Sequence, residues 1–203
     1  MKENNKILIC LSLCAVFLSG CKHKLEYITT VESFADTPEY ELAVAAYKKN
    51  LKKMDKLCKL HPEFINRSYS DRYYSVLHWT CQTNNYVASK KLLELGMNPD
   101  VQLGIGDTPL YSIIDSPAVF PPQDFSEIAQ LLISYGADCN IRIEHDWADN
   151  EPDLYGETPF MYAATLSNKN IKKIMIENGA DINAKTRSGI TATVRCLYQG
   201  TIF

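Results

Sequence analysis

One short phrase recurs in register along the chain. The copies are GDTPLY at residues 106–111, GETPFM at 156–161, a weaker GITAT at 189–193 and a degenerate SVLH at 75–78. Ser75 lies 33 residues before Thr108, and Thr158 lies 33 residues before Thr191. A period of this length predicts a stack of similar structural units rather than a globule around one central core.

A second phrase keeps a fixed distance from the first. Gly96 lies 21 residues after Ser75, and Gly179 lies 21 residues after Thr158. The near copies are GADCN at residues 136–140 and GADIN at residues 179–183. A 33-residue period that carries both phrases resembles the ankyrin-repeat family.

The resemblance implies an all-α solenoid of about four and a half helix-turn-helix repeats with finger loops, over residues 38–203. The threonine of the first phrase caps a helix, the proline suits the first helical position, and the glycine of the second phrase ends the next helix. The units are expected at about residues 38–66, 70–102, 104–142 and 155–185, and from residue 189, where one helix fits.

The N-terminal segment predicts export. An apolar run of 12 residues, 7–18, follows Lys2 and Lys6, and it is too short to span a bilayer but suits a signal-peptide core. Residues 18–21, LSGC, resemble the bacterial lipobox. We therefore expect a signal peptide at residues 1–20, a lipidated Cys21, and a flexible tether at residues 21–37; a secretory signal with a chance cysteine is the alternative.

The lipobox resemblance implies a bacterial lipoprotein held by acyl chains outside the cytoplasm. In enteric bacteria an aspartate after the lipidated cysteine retains such a protein at the inner membrane, and this chain has Lys22 there. In a Gram-negative cell the resemblance thus favours the periplasmic face of the outer membrane.

The charged residues argue against a nucleic-acid partner. Without residues 1–20, which hold two lysines and one glutamate, the chain has 19 basic and 23 acidic residues, a net charge of −4. Six lysines crowd the first unit: Lys48, Lys49, Lys52, Lys53, Lys56 and Lys59. We interpret them as the solvated face of an N-terminal cap, with a basic stripe that binds a partner as the alternative.

Four cysteines lie after Cys21: Cys58, Cys81, Cys139 and Cys196. Cys58 and Cys81 fall in neighbouring repeats, so a disulfide between them is one reading and buried free thiols are the other. Cys81 and Cys196 are more than three repeats apart, too far to bridge.

Two insertions interrupt the period. Thr108 and Thr158 are 50 residues apart, 17 more than the repeat, and 10 of these extra residues fall in the finger before Thr158. The finger reads EHDWADNEPD at residues 144–153. We expect Trp147, Asp149 and Glu151 to contact a protein partner. The alternatives are a solvated loop, and a calcium site that uses Asp146, Asp149, Glu151 and Asp153 without the EF-hand spacing.

The family resemblance also implies a concave groove lined by the fingers and first helices. Its variable, exposed position follows the threonine-proline phrase and maps to Trp79, Ser112, Tyr162 and Arg195. Trp79 and Tyr162 are the strongest contact candidates, and packing against the next helix is their alternative. His78 matches the family histidine that hydrogen-bonds backbone near the turn, so a structural role is expected.

These expectations together describe a binding protein with no catalytic residues, metal or cofactor. The partner is another protein, and the membrane is reached through Cys21. Because some bacterial ankyrin lipoproteins are immunity proteins, an inhibitor of a periplasm-delivered, lipase-type toxin is one hypothesis. A non-inhibitory envelope adaptor or assembly factor is the alternative.

Replacing Cys21 with serine removes the thiol to which a diacylglyceryl group is attached. We expect Cys21→Ser to yield a chain without acyl chains that leaves the membrane fraction, as measured by mass spectrometry and fractionation. Retention of the variant in membranes would contradict the lipoprotein hypothesis.

Overall fold

The computed structural model describes residues 31–65, 75–103, 106–114, 124–143, 155–166 and 169–198. Within these ranges the secondary structure is helical, which confirms the all-α repeat prediction. The helices are α1 (Tyr40–Tyr47), α2 (Leu51–Leu60), α3 (Val76–Gln82), α4 (Tyr86–Glu94), α5 (Pro109–Ile114), α6 (Ser126–Ser134), α7 (Pro159–Ala164), α8 (Lys169–Glu177) and α9 (Ala192–Tyr198). Two 3-10 turns occupy Val31–Phe34 and Pro62–Phe64.

The helices form two parallel rows. Helices α1, α3, α5, α7 and α9 contact one another in succession and make the inner row, and α2, α4, α6 and α8 do the same in the outer row. Each of the first four inner helices also packs against the outer helix that follows it. The result is a two-layer solenoid in which neighbouring repeats, rather than distant segments, bury one another.

The repeated phrase starts the inner helices as expected. A side-chain hydroxyl accepts a hydrogen bond from the backbone N–H three residues later, which satisfies a donor at the helix N-terminus. The four bonds are His78 N–H to Ser75 Oγ (3.3 Å), Tyr111 N–H to Thr108 Oγ1 (3.2 Å), Met161 N–H to Thr158 Oγ1 (3.3 Å) and Val194 N–H to Thr191 Oγ1 (3.4 Å).

Glycines end the outer helices. Gly96 has a φ of +94° and Gly136 a φ of +95°, left-handed values that a residue with a Cβ adopts at a cost. After α4, the N–H of Met97 reaches back to the carbonyl of Leu92 (3.1 Å), which satisfies an otherwise open helix-end acceptor. The helix-ending role predicted for these glycines is confirmed.

The folded body begins earlier than residue 38. Val31 and Phe34 are buried, and the 3-10 turn that holds them packs on α1. The Phe34 ring meets the ring of Trp79 edge-on, with centroids 5.7 Å apart. Residues 31–37, expected to be part of a flexible tether, therefore belong to the repeat body, because their apolar side chains cover the inner row.

The apolar interior runs as one core between the two helical rows. Its fully buried members include Leu42, Met54, Leu77, Leu92, Leu110, Ile128, Leu132, Met161 and Met175. Full burial of each such side chain contributes roughly 1.5–3 kcal/mol before the entropy of ordering is counted.

The four cysteines of the described body are buried free thiols, so the disulfide alternative for Cys58 and Cys81 is wrong. Burial raises the pKa of the Cys81 thiol to about 12, with an opposing hydrogen bond to Ser89, and the pKa of Cys139 to about 11. A thiol with such a pKa is a poor nucleophile at neutral pH, so these side chains act as small apolar groups.

His78 joins two repeats. Its Nδ1 lies 2.8 Å from Ser75 Oγ, and its Nε2 lies 3.2 Å from the backbone carbonyl oxygen of Asp107 in the next unit. Burial lowers the His78 pKa from 6.5 to about 3, and the bond to Asp107 opposes the shift. In the neutral ring Nε2–H donates to the carbonyl and Nδ1 accepts from the hydroxyl. The structural role predicted for His78 is confirmed.

The lowered pKa of His78 makes stability depend on pH. In the unfolded chain His78 binds a proton near pH 6.5, whereas in the folded chain it does so only near pH 3. The free energy of unfolding therefore falls as the pH falls from about 6.5 to about 3. We expect the free energy of unfolding, measured with urea, to drop by about 2 kcal/mol between pH 7 and pH 5.

The matched variants are His78→Gln and His61→Gln, the second at an exposed histidine. His78→Gln should be less stable at pH 7 but lose this pH dependence, and His61→Gln should keep it. An unchanged pH dependence in His78→Gln would show that another group is responsible.

Candidate protein-binding surface

The inner helices and the fingers that precede them form the surface that the sequence marks as the groove. Two isolated antiparallel bridges, Ile143 with Glu157 and Lys185 with Thr191, tie finger residues together before α7 and α9. The four groove candidates lie on this inner row, one on each of α3, α5, α7 and α9. Their environments differ from the exposed positions that the resemblance implies.

Trp79 is 1% exposed and packs against Phe34. The expectation that its side chain faces a partner is wrong for this structure, because the turn at residues 31–34 lies on it. The packing alternative describes Trp79 correctly, and its ring contributes to stability rather than to an open surface.

Ser112 is also buried, and its hydroxyl donates to the carbonyl of Pro109 (3.0 Å) inside α5. The Ser112 carbonyl in turn accepts from Nε2 of Gln82 on α3 (3.4 Å). Both bonds hold helices in place, and the hydroxyl has no surface to offer a partner. The groove exposure expected for Ser112 is therefore not observed.

Tyr162 is half-buried, and its ring stacks on the ring of Tyr111 from the preceding repeat, with centroids 5.1 Å apart and planes inclined by 23°. Offset stacking of this kind adds roughly 0.5–1.5 kcal/mol beyond the area buried. Tyr162 thus packs against a neighbouring inner helix and stays partly exposed, which makes it the most accessible of the four candidates.

Arg195 is buried in an ion pair that the sequence did not predict. Its Nε donates to Oε1 of Glu157 at 2.9 Å, with 8% of the arginine side chain and 2% of the glutamate side chain exposed. The hydroxyl of Tyr111 donates to the other carboxylate oxygen at 3.1 Å. This network spans three repeats and occupies the guanidinium that was expected to face a partner.

Glu157 occupies the position that Asp107 holds in the preceding copy of the phrase. The glutamate is one methylene longer, which brings its carboxylate within reach of both Tyr111 and Arg195. The change from aspartate to glutamate in an otherwise repeated phrase is the sequence signal for this network, and the sequence analysis did not use it.

The acidic finger candidates Trp147, Asp149 and Glu151 lie outside the described residues, as do Asp146 and Asp153. The two ends of the finger are described. Ile143 N–H donates to the Glu157 carbonyl (2.9 Å), and Gly156 N–H donates to the Ile143 carbonyl (2.7 Å). The chain therefore leaves and re-enters the repeat body at one hydrogen-bonded point. We call this point, residues 142–143 and 155–157, the finger stem.

Two arginines fasten the finger stem to the following repeat. A guanidinium nitrogen of Arg142 donates to the carbonyls of Gly156 (2.9 Å) and Lys185 (2.6 Å). The guanidinium of Arg187 lies 4.4 Å from the centre of the Tyr155 ring, and Arg187 N–H donates to the Tyr155 carbonyl (2.8 Å). The finger insertion consequently starts from a fixed base.

Ser75 and His78 are residue types that serve as nucleophile and base in enzymes, but here they lack the environment that catalysis needs. The ring is fully buried, its second nitrogen faces a backbone carbonyl rather than a carboxylate, and its pKa near 3 leaves it unable to accept a proton at neutral pH. The pair holds the turn together.

Within the described ranges, no group of three or more His, Cys, Asp or Glu side chains is placed to hold a metal ion. The helices of the same ranges are all too short or too polar to cross a membrane.

Residues 155–187 match the family model of the ankyrin repeat. The match begins in the finger stem, covers α7 and α8 and ends at Arg187, close to the fourth unit expected from the sequence. The match covers 33 of the 203 residues, and with the two-row helical stack it supports an all-α ankyrin-repeat solenoid as the fold. Ankyrin repeats in general mediate protein–protein interaction and are not typically enzymes, which supports another protein as the partner.

The ion pair between Glu157 and Arg195 offers a direct test of the inner-row network. Arg195→Met leaves a buried carboxylate without its guanidinium, and we expect it to lower the free energy of unfolding by about 3–5 kcal/mol. The double variant Glu157→Gln with Arg195→Met should recover about 2 kcal/mol or more relative to the sum of the single variants. Strictly additive losses in urea unfolding would show that the pair is not coupled.

Proposed function

We propose that this chain is a lipid-anchored bacterial envelope protein that binds another protein through the finger insertion at residues 144–154. The observation that carries the proposal is the finger stem. The 11 residues between Ile143 and Tyr155 lie in the finger that is 10 residues longer than the repeat requires, yet the segment is held at both ends by hydrogen bonds to the repeat body. Insertions of this kind in repeat proteins are sites of function.

The buried inner row supports the same assignment. Trp79, Ser112 and Arg195 lie inside the stack, so the part of the groove floor that they occupy offers little side-chain surface. We therefore expect the binding energy to come from the finger and from the partly exposed Tyr162, which follows the finger stem in the chain. A fixed stem limits the entropy lost when the loop engages a partner.

The chemistry of the finger indicates what kind of surface it meets. Residues 144–153 hold five carboxylates and Trp147. Carboxylates steer association with a basic surface, and a tryptophan inserted into an apolar pocket supplies the anchor that interfaces favour. We infer a partner with a basic rim around an apolar pocket.

The proposed location in the cell envelope limits which proteins this chain can meet. The lipobox resemblance favours an envelope location, where an immunity protein would neutralise a toxin of the lipase type after its delivery. This hypothesis predicts one tight partner whose activity is blocked on binding. The alternative, a non-inhibitory adaptor or assembly factor, predicts several partners of lower affinity and no inhibition. Affinity capture with residues 22–203 as bait, followed by activity assays on the retained proteins, separates the two.

The finger is tested by Trp147→Ala with Asp149→Ala. We expect at least a 10-fold loss of affinity for the retained partner, measured by calorimetry, because the aromatic anchor and part of the steering charge are removed. The melting temperature should stay unchanged, since both residues fall outside the repeat phrases.

The matched control is Tyr135→Ala with Glu127→Ala, which removes an exposed carboxylate from α6 and an exposed aromatic from the residue that follows it. This control should bind like the wild type. Equal affinity of the finger variant and the wild type would exclude the finger from the binding mechanism.

A further inference from the structure

Three lysines line the outward face of α2. Lys52, Lys56 and Lys59 are exposed and recur at i, i+4 and i+7, a spacing that places side chains along one face of a helix. The opposite side of the same helix holds Met54 and Cys58, which are buried against the stack. We call the three residues the lysine stripe.

The neighbouring charges of α2 are already neutralised. Lys53 forms an ion pair with Glu41 of α1, and Asp55 forms one with Lys91 of α4, at 2.7 Å. These pairs sit on the flanks of α2 that face the adjoining helices. Within the described ranges, no residue of the lysine stripe has an ion-pair partner, so the stripe carries three uncompensated positive charges toward solvent.

Large apolar side chains lie at both ends of the lysine stripe. Leu51 is 38% exposed at the start of α2 and Leu60 is 62% exposed at its end, and Tyr47, the last residue of α1, is 61% exposed. Tyr47 is followed by Lys48 and Lys49, which are also exposed. Solvation of the lysines alone does not explain why three large apolar side chains are exposed near them.

The local charge is opposite to that of the whole chain. Residues 47–60 hold six lysines and one aspartate, whereas the complete chain has a net charge of −3. A surface that joins positive charge with exposed apolar groups is complementary to an anionic phospholipid bilayer, which attracts lysines to its headgroups and accepts apolar side chains between them. An acidic protein surface would match the charges but would not account for the exposed apolar side chains near them.

The position of α2 at the N-terminal end of the stack places it close to the proposed membrane anchor. It is the first outer helix of the chain and packs on α1, which also receives the turn at Val31–Phe34. Ten residues separate Cys21 from Val31, a distance of at most ~35 Å even when fully extended. The orientation of α2 toward the bilayer rests on the proposed anchor at Cys21, whereas the charge and exposure of α2 do not depend on it.

We propose that the lysine stripe, with Tyr47, Leu51 and Leu60, is a membrane-docking surface for anionic phospholipids. Docking would hold the N-terminal repeat against the bilayer and project the finger stem, which lies in the later repeats, away from it.

The test uses the chain from residue 21 onward with Cys21→Ser, which contains every described residue and has no acyl chain. Its partitioning is measured by co-sedimentation with vesicles of phosphatidylglycerol and phosphatidylethanolamine, 1:3, and with pure phosphatidylcholine vesicles. We expect binding to the anionic vesicles only, and its release by 0.5 M NaCl. Replacing Lys52, Lys56 and Lys59 with glutamine should lower the partition coefficient roughly 100-fold.

The matched control replaces three lysines of the last repeats, Lys169, Lys173 and Lys185, with glutamine, which changes the net charge equally. It should lose less than about 5-fold, since these lysines lie far along the stack. Equal losses in both variants, or no preference of the parent chain for anionic vesicles, would contradict the proposed docking surface.

If the stripe variant instead loses an acidic protein partner and the parent chain does not bind the vesicles, the surface binds protein and this proposal is wrong. A chain isolated from cells without acyl groups would refute the anchor and leave the vesicle result standing.

Discussion

The structure depends on hydrogen bonds that cross from one repeat to the next. No repeat has enough apolar surface to bury both of its helices alone, so each needs a neighbour at a fixed distance and angle. Polar side chains, from the fully buried His78 to the exposed Arg142, set that geometry by donating to backbone carbonyls of the adjoining unit. The bonds are His78 to Asp107, Asn85 to Ala46, Asn140 to Gly179 and Arg142 to Lys185. Each joins residues 29 to 43 positions apart, about one repeat along the chain.

This constraint decides where function can reside. Residues that fix the register of the stack must stay buried and bonded, as Glu157 and Arg195 are on the inner row. Segments that do not contribute to the register are free to vary in length and chemistry. The finger insertion and the outward face of α2 are of this kind, and one is acidic while the other is basic. A stack with a basic first repeat and an acidic late finger would present opposite charges at two separate places.

The repeated features of the sequence predicted the fold well, because each has a local physical cause. Hydroxyl caps, helix-ending glycines and the 33-residue spacing act within one repeat or between neighbours, and the structure confirms them. The burial of Trp79 was not predictable from the period, since Phe34 comes from a segment before the first repeat. The pairing of Glu157 with Arg195 depends on one additional methylene in an otherwise repeated phrase. The roles of Trp147, Asp149 and Glu151 stay predictions.

Hydrogen–deuterium exchange on the complex with the captured partner shows directly whether the partner binds the finger. Binding through the finger predicts slower exchange in the finger, in its stem at residues 142–143 and 155–157, and around Tyr162 on α7. Exchange in α2 and in the inner helices α1, α3, α5 and α9 should stay as it is in the free chain. Protection confined to the outer helices, with the finger and its stem unchanged, would contradict binding through the finger.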